Sequence, residues 1–216
     1  FAFSITENNW LGKGVQLSAA AEVREDSIKG SLSYTDPDFN FTGRELSYYL
    51  KNVTNDESDS GYENKILGGG VNLSYERFKD IYFAPGLSIT YDDLTADSTA
   101  SDLLKKQAGT TTDLLFDYSF TTDKRDRRFM PTGGYLTTFY QELPLYADQP
   151  HIKNSFSTRH YKEINEDIIG ALKFGVSAIN GINDEDVRIS QRLELNSRTL
   201  RGFEQGKVGP KDGNNF

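Results

Sequence analysis

The stretch Val15-Gln16-Leu17-Ser18-Ala19-Ala20-Ala21-Glu22-Val23 decides the fold class of this chain of 216 residues. Apolar or small side chains stand at its odd positions, and Gln16, Ser18 and Glu22 stand between them. Successive side chains of a β-strand point to opposite faces of the sheet. The alternation therefore predicts a strand with one apolar and one polar face.

The same alternation recurs along the whole chain and predicts about ten strands. Besides 15–23, the pattern covers 1–6, 28–35, 45–51, 67–75, 81–91, 114–120, 135–143, 155–163 and 168–178, and it is weakest across 155–163. Several of these segments approach the roughly ten residues that a tilted strand needs to cross a bilayer. Five tyrosines lie near strand ends, where a membrane-interface girdle would place them: Tyr34, Tyr48, Tyr75, Tyr91 and Tyr118.

The connections between these strands fall into two groups. Tight turns are predicted at 9–14, 36–39, 77–80 and 165–166, and they alternate with polar excursions at 24–27, 52–64, 94–111 and 145–154. If successive strands are antiparallel, the turns lie at one end of the sheet and the long loops at the other. This arrangement predicts an all-β, antiparallel up-and-down transmembrane β-barrel. A soluble sandwich of about ten strands is the alternative fold.

Composition narrows the classes of partner. The net charge of −8 argues against nucleic acid, whose phosphates need a basic surface. The chain has no cysteine, so it forms no disulfide. The sequence contains no run of about 18 apolar residues, so it predicts no membrane helix. Because Phe1 already belongs to an alternating pattern, we interpret the sequence as a piece of a longer protein.

The sequence offers little for enzyme chemistry, and we expect no catalytic residue, metal or cofactor. His151 and His160 are the only histidines, and neither has a second histidine or a cysteine at zinc-ligand spacing. An outer-membrane enzyme such as a lipase would need a Ser-His-acid cluster around one of them. The acidic stretches 56–61 and 92–93 lack the spacing of a calcium-binding loop and are interpreted as solvated loops.

Four motifs stand in the connections. The first runs over 7–14 and contains Asn9, Leu11, Gly12 and Gly14. The second is Asp36-Pro37-Asp38-Phe39, and the third combines Asp123-Lys124-Arg125-Asp126 with Pro131-Thr132-Gly133-Gly134. The fourth is Leu200-Arg201-Gly202-Phe203, followed by Glu204 and by Gly209-Pro210.

In this order the four motifs resemble those of the BamA-type outer-membrane assembly proteins, which include TamA and organelle import relatives. The fourth motif is the most specific, and the resemblance extends over essentially the whole chain. Asp38 departs from the family pattern, which usually has an aromatic residue there. The resemblance implies about ten strands of a barrel that has sixteen in the family, without the preceding POTRA domains and first strand or the C-terminal strands.

The resemblance also implies a function and a site. Residues 196–216 would begin a loop that folds into the lumen, where Arg201 pairs with acidic groups of the inner wall and Phe203 packs beside it. The protein would fold and insert nascent outer-membrane β-barrel proteins without enzyme chemistry. Its location would be a Gram-negative outer membrane, with an organelle outer membrane as the less favoured alternative. Its partners would be the lipid bilayer, those substrates and accessory lipoproteins bound through the POTRA domains. A TamA-like assembly barrel and a passive pore or receptor are the alternatives.

Overall fold

The structure, a computed structural model, describes residues 1–57, 61–98, 100–183, 186–193 and 202. Ten strands form one sheet in chain order, and every neighbouring pair is antiparallel. The strands are β1 (Ala2–Glu7), β2 (Gln16–Val23), β3 (Ser27–Asp36), β4 (Glu45–Glu57), β5 (Tyr62–Phe78), β6 (Ile81–Ala96), β7 (Gly109–Asp123), β8 (Gly134–Tyr146), β9 (His151–Asn165) and β10 (Ile168–Gly181). The prediction of an all-β, up-and-down fold with about ten strands is confirmed.

Register turns the alternation of single strands into two continuous surfaces. One row of paired residues crosses seven strands on the apolar face: Ile5, Ala19, Leu32, Leu50, Gly69, Ile89 and Leu114. The adjacent row lies on the other face: Ser4, Ala20, Ser31, Lys51, Gly68, Thr90 and Asp113. Leu32, Leu50 and Ile89 are exposed. A band of exposed apolar residues on one face suits lipid contact, and the opposite face is polar, as in the wall of an outer-membrane barrel.

Aromatic residues form a belt on the apolar face. Tyr34 contacts Tyr48 with ring centroids 6.2 Å apart, and Phe83 stacks on Phe120 at 4.9 Å. Tyr75 and Tyr118 both contact Phe83, which joins β5, β6 and β7. The belt lies toward one end of the strands, as the sequence predicted for four of the five tyrosines. Tyr91 lies toward the opposite end of β6.

The predicted sorting into short turns and long loops is wrong. At one end, which we call the turn end, the connections cover 8–15, 37–44, 79–80, 124–133 and 166–167. At the other, the loop end, they cover 24–26, 58–61, 97–108 and 147–150. Most of the predicted excursions 52–64 and 145–154 instead belong to strands, because polar side chains do not prevent the backbone from pairing: 52–57 lie in β4, 62–64 in β5, 145–146 in β8 and 151–154 in β9. Asn55 and Asn64, for example, are paired, and their side-chain amides are 3.2 Å apart.

The loop end contains one short helix, α1 (Asp102–Gln107), within the predicted excursion 94–111. The Ser101 side chain accepts a hydrogen bond from the Leu104 backbone N–H at 3.3 Å, which caps the first turn. Leu104 and Gln107 are buried. Among the described residues, no helix has the length and hydropathy that crossing a membrane requires.

Candidate functional site

The segment that follows β10 returns across the polar face to strands in the middle of the sheet. Arg188 Nε lies 3.1 Å from Asp92 Oδ2 on β6, and Arg188 Nη2 donates to the Gly109 carbonyl on β7 at 2.6 Å. The Ser190 hydroxyl also donates to Asp92 Oδ2. The Ile189 backbone N–H donates to Gln107 Oε1 of α1 at 2.9 Å. We call these six residues the lumen brace: Arg188, Ile189 and Ser190 with Asp92, Gln107 and Gly109.

The ionic pair of the lumen brace is buried. Asp92 is 0% exposed and Arg188 is 4% exposed. A buried carboxylate needs a cation and hydrogen-bond donors to offset its lost hydration, and Asp92 receives both on Oδ2. Within the described part of the chain, Asp92 Oδ1 and Asp113 Oδ1 have no hydrogen-bond partner. Near the lumen brace, the polar face therefore has more hydrogen-bond acceptors than donors, and the Arg188 guanidinium offsets part of this excess.

A polar cavity of about 330 Å³ adjoins the lumen brace. Its lining includes Lys51, Asp117, Lys153, Ser190 and Gln191, so the returning segment forms part of its wall. Both positively and negatively charged side chains line this cavity, so it is a polar surface and not an apolar core.

His151 lies near this cavity in a network of its own. Its Nε2 lies 3.4 Å from Glu142 Oε1 and its Nδ1 lies 3.4 Å from the Gln149 carbonyl, while the Tyr140 hydroxyl donates to Glu142 Oε2 at 2.8 Å. His160 has Thr158 as its partner and stacks on Tyr135. The contacts described for His151 therefore contain an acid but not the serine that a hydrolase cluster needs. No group of three metal-ligating side chains occurs among the described residues.

The predicted loop motif lies almost wholly outside the described residues. Leu200, Arg201, Phe203, Glu204, Gly209 and Pro210 are all outside them. Gly202 is described and has φ +88°, a left-handed conformation that glycine adopts without strain. The pairing predicted for Arg201 remains a prediction.

The first two turn motifs have one and the same conformation. Asn9 Oδ1 accepts from the Gly14 N–H at 2.7 Å, and Asp38 Oδ1 accepts from the Gly43 N–H at 2.7 Å. Each motif forms a 3-10 turn, Trp10–Gly12 or Phe39–Phe41, whose central residue has a left-handed backbone.

Flanking bonds of the two turns match as well. The Trp10 N–H donates to the Val15 carbonyl, and the Phe39 N–H donates to the Arg44 carbonyl. The Asn9 and Asp38 N–H groups each donate to a side-chain oxygen two residues back, Glu7 Oε1 and Asp36 Oδ1. Alignment of Asn9 with Asp38 explains why Asp38 departs from the family pattern, because its carboxylate serves as the acceptor of the turn.

The third motif is held by two carboxylates. Arg125 forms a bidentate pair with Asp123, with Nε–Oδ1 and Nη2–Oδ2 both at 2.8 Å. Asp126 accepts from the Thr132 hydroxyl at 2.7 Å and from the Thr132 and Gly133 N–H groups at 3.0 and 3.1 Å. The Thr132 hydroxyl, together with these N–H donors, lowers the pKa of Asp126 to about 2.

The remaining residues of the third motif complete the turn. Pro131 immediately precedes Thr132, and Gly134 begins β8 with φ +91°. Lys124 reaches across to Asp80 in the neighbouring turn. The motif thus joins two connections at the turn end.

The lumen brace was not predicted from the sequence. Asp92 was interpreted as part of a solvated acidic loop, which is wrong, because β6 extends to Ala96 and carries Asp92 onto the polar face. Asp92 shares the two-residue period of Ser88 and Thr90, a signal that was present in the sequence. Nothing local marked Arg188, because its partners are 79 and 96 residues away.

With the wall and its crossing segment described, comparison with known proteins identifies the family. A model of the Omp85 superfamily domain matches residues 9–216. The chain belongs to the Omp85 superfamily. A solved structure of BamA from Haemophilus ducreyi lacking POTRA domains 1–3 superposes with a TM-score of 0.83 at 23% identity, covering 97% of this chain and 44% of that chain. This similarity confirms the barrel fold.

Relatives found by sequence carry related names. Outer membrane protein assembly factor BamA of Neorickettsia risticii is 24% identical over 97% of this Omp85 chain, and the BamA of Neisseria meningitidis serogroup B is 25% identical over 96%. A SAM50-like protein of Schizosaccharomyces pombe is 29% identical over 53% of the chain. The match spans 29%, 28% and 26% of these relatives, respectively. The predicted resemblance to the BamA-type barrel is confirmed.

Proposed function

We propose that this chain is barrel wall of an outer-membrane assembly factor that folds and inserts β-barrel proteins. The observation that carries the proposal is the crossing of the polar face by 188–190, in a family whose relatives include two proteins named as assembly factors. The crossing leads the chain along the polar face shortly before Leu200-Arg201-Gly202-Phe203. A segment that lies against the polar face of the wall fits an assembly factor better than an open pore.

The mechanism proposed for this wall is binding without covalent chemistry. The apolar face contacts lipid, and the paired backbone of the strands leaves ladder groups free only at sheet edges, where a substrate strand can add. We propose the Gram-negative outer membrane as the location, nascent barrel proteins as substrates, and accessory lipoproteins bound through POTRA domains as partners. No cofactor and no nucleic acid take part in this mechanism.

The experiment that tests the proposal is replacement of Arg201 by Ala in the full-length protein, in cells depleted of the native copy. The substitution would remove the ion pair predicted for Arg201, and a buried ion pair is costly to break, so we expect the steady-state level of outer-membrane β-barrel proteins to fall several-fold. Arg198→Ala, three residues away in the same stretch, is the matched control and should leave that level unchanged.

A second measurement separates the proposal from a passive pore. Single-channel conductance of the Arg201→Ala protein would change in a pore whose opening the loop controls, whereas barrel assembly would stay normal. Normal levels of outer-membrane proteins with Arg201→Ala, at parental amounts of the folded variant, would contradict the assembly function.

A further inference from the structure

The contacts of 188–190 are long-range and converge on one small part of the wall. Arg188, Ile189 and Ser190 bond to residues of β6, α1 and β7 that lie 79 to 98 positions earlier in the chain. In the sheet, β10 is separated from β7 by β8 and β9. These bonds place 188–190 against β6 and β7, away from the strand that precedes them in the chain.

We propose that the lumen brace is a permanent anchor that positions the loop containing Arg201, with Arg188 as the positioning residue. The inference rests on the proposed function for the role of that loop. The lumen brace adds an attachment point at the base of the loop that does not depend on the predicted pairing of Arg201.

Charge explains why the anchor is specific. Asp92 is completely buried, and its Oδ2 takes the Arg188 guanidinium and the Ser190 hydroxyl together. Asp113, on the same face of neighbouring β7, adds a second buried carboxylate. Removing Arg188 would leave Asp92 uncompensated at a site with few donors, whereas the intact pair holds the segment against the wall.

Chain length explains why an anchor here matters for the loop. Leu200 lies ten positions after Ser190, and a fully extended chain of that length spans at most roughly 34 Å. With Ser190 fixed on the wall, the motif can reach only positions within that distance of Asp92. From Gly181, the end of β10, the same motif would have about twice the length of free chain.

A disulfide tests whether the brace exists and stays closed. These 216 residues contain no cysteine, so Asp92→Cys with Ser190→Cys introduces a defined pair in the full-length protein, after removal of any cysteine elsewhere. We expect the disulfide to form in the membrane, and the double-cysteine protein to assemble barrel proteins at the same rate with the disulfide closed as after its reduction. Asp93→Cys with Ser190→Cys is the control and should not cross-link, because adjacent residues of a strand face opposite sides.

A labelling experiment tests positioning separately from stability. Phe203→Cys is probed on intact cells with a membrane-impermeant maleimide, in the parent, in Arg188→Met and in Arg188→Met with Asp92→Leu. The double variant removes both charges and so restores a folded barrel without the brace. We expect labelling to rise several-fold in both variants and to stay at the parental level in Arg192→Met, whose guanidinium, among the described residues, bonds to the nearby Val187 carbonyl alone.

Two results would overturn the inference. If the double variant returns labelling to the parental level, Arg188 serves only to neutralise Asp92 and does not position the loop. If closing the disulfide stops assembly in the double-cysteine protein and reduction restores it, the anchor is not permanent. A formed disulfide and raised labelling, together with normal assembly in Arg201→Ala, would leave the anchor in place and refute the proposed function instead.

Discussion

The two ends of this sheet are built in different ways. At the turn end, Asn9, Asp38 and Asp126 hold their turns with bonds to backbone groups five to seven residues ahead. At the loop end, Arg188 and Ser190 hold the chain with bonds that span 79 to 98 residues. The turn end is therefore encoded locally, and the loop end exists only after the wall has formed.

The two ends of the sheet should therefore respond to different kinds of substitution. The turns depend on backbone conformation, because single side-chain oxygens fix chains that pass through left-handed φ values. The lumen brace depends on charge, because a buried pair loses most of its value when either partner is removed. Substitutions that alter only backbone freedom should therefore have their main effect at the turn end.

The largest effect at the turn end is expected from Gly134→Ala. A Cβ on Gly134 would lie 2.0 Å from the Lys124 carbonyl oxygen, and the residue has φ +91°. Because backbone cannot give way as a flexible side chain can, we expect a loss of roughly 3 kcal/mol of folding free energy. The measurement is the denaturant midpoint of the heat-modifiable barrel band in detergent.

Gly133→Ala is the matched control for that substitution. A Cβ on Gly133 would meet nothing within 4 Å, and its φ is not in the left-handed region. Its midpoint should equal that of the parent. Equal effects from the two neighbouring alanines would show that the turn adapts its backbone, which would remove the contrast between the ends.

An intermediate effect is expected from acid at Asp126. Its pKa of about 2 in the folded protein lies below the ordinary value of 3.8. The depressed pKa adds stability above pH 4, and this contribution is lost as the pH falls from 4 toward 2. In Asp126→Asn that part of the pH dependence should be absent, as measured by the thermal midpoint of the heat-modifiable band between pH 5 and pH 2.

Salt provides the control for this pH experiment. The Lys124 ammonium lowers the pKa of nearby Asp80, an exposed ion pair, whereas neutral donors lower that of Asp126. Added salt should therefore weaken the Asp80 contribution and leave most of the Asp126 contribution. If salt removes the difference between Asp126→Asn and the parent, the hydrogen bonds of Thr132 and Gly133 do not control the turn.

How much the sequence predicts follows the same division. The alternation at 15–23 and its repeats predicted the strands, because a two-residue period is a local property. The predicted loop lengths were wrong because polar residues such as Asn55 and Asn64 extend a ladder once neighbouring strands are already paired. The burial of Asp92 was not predicted for a related reason, since it depends on a segment that follows 96 residues later in the chain. The identity of the first two turns was missed because their sequences share an acceptor and a final glycine but not the residues between.

The smallest effect concerns those two equivalent turns. Gly12 in the first turn corresponds to Phe41 in the second, and both have left-handed φ, +72° and +56°. The left-handed conformation costs a non-glycine residue about 1 kcal/mol, so Gly12→Ala should destabilise the barrel by that amount. Phe41→Gly should stabilise it by less, because glycine also gains freedom in the unfolded chain. Phe41 is 94% exposed, so its ring contributes little packing within the chain that would offset this gain. Denaturant midpoints of the two variants should therefore move in opposite directions, and a loss of stability in Phe41→Gly would instead show that the exposed ring is held by contacts with the membrane interface or another chain.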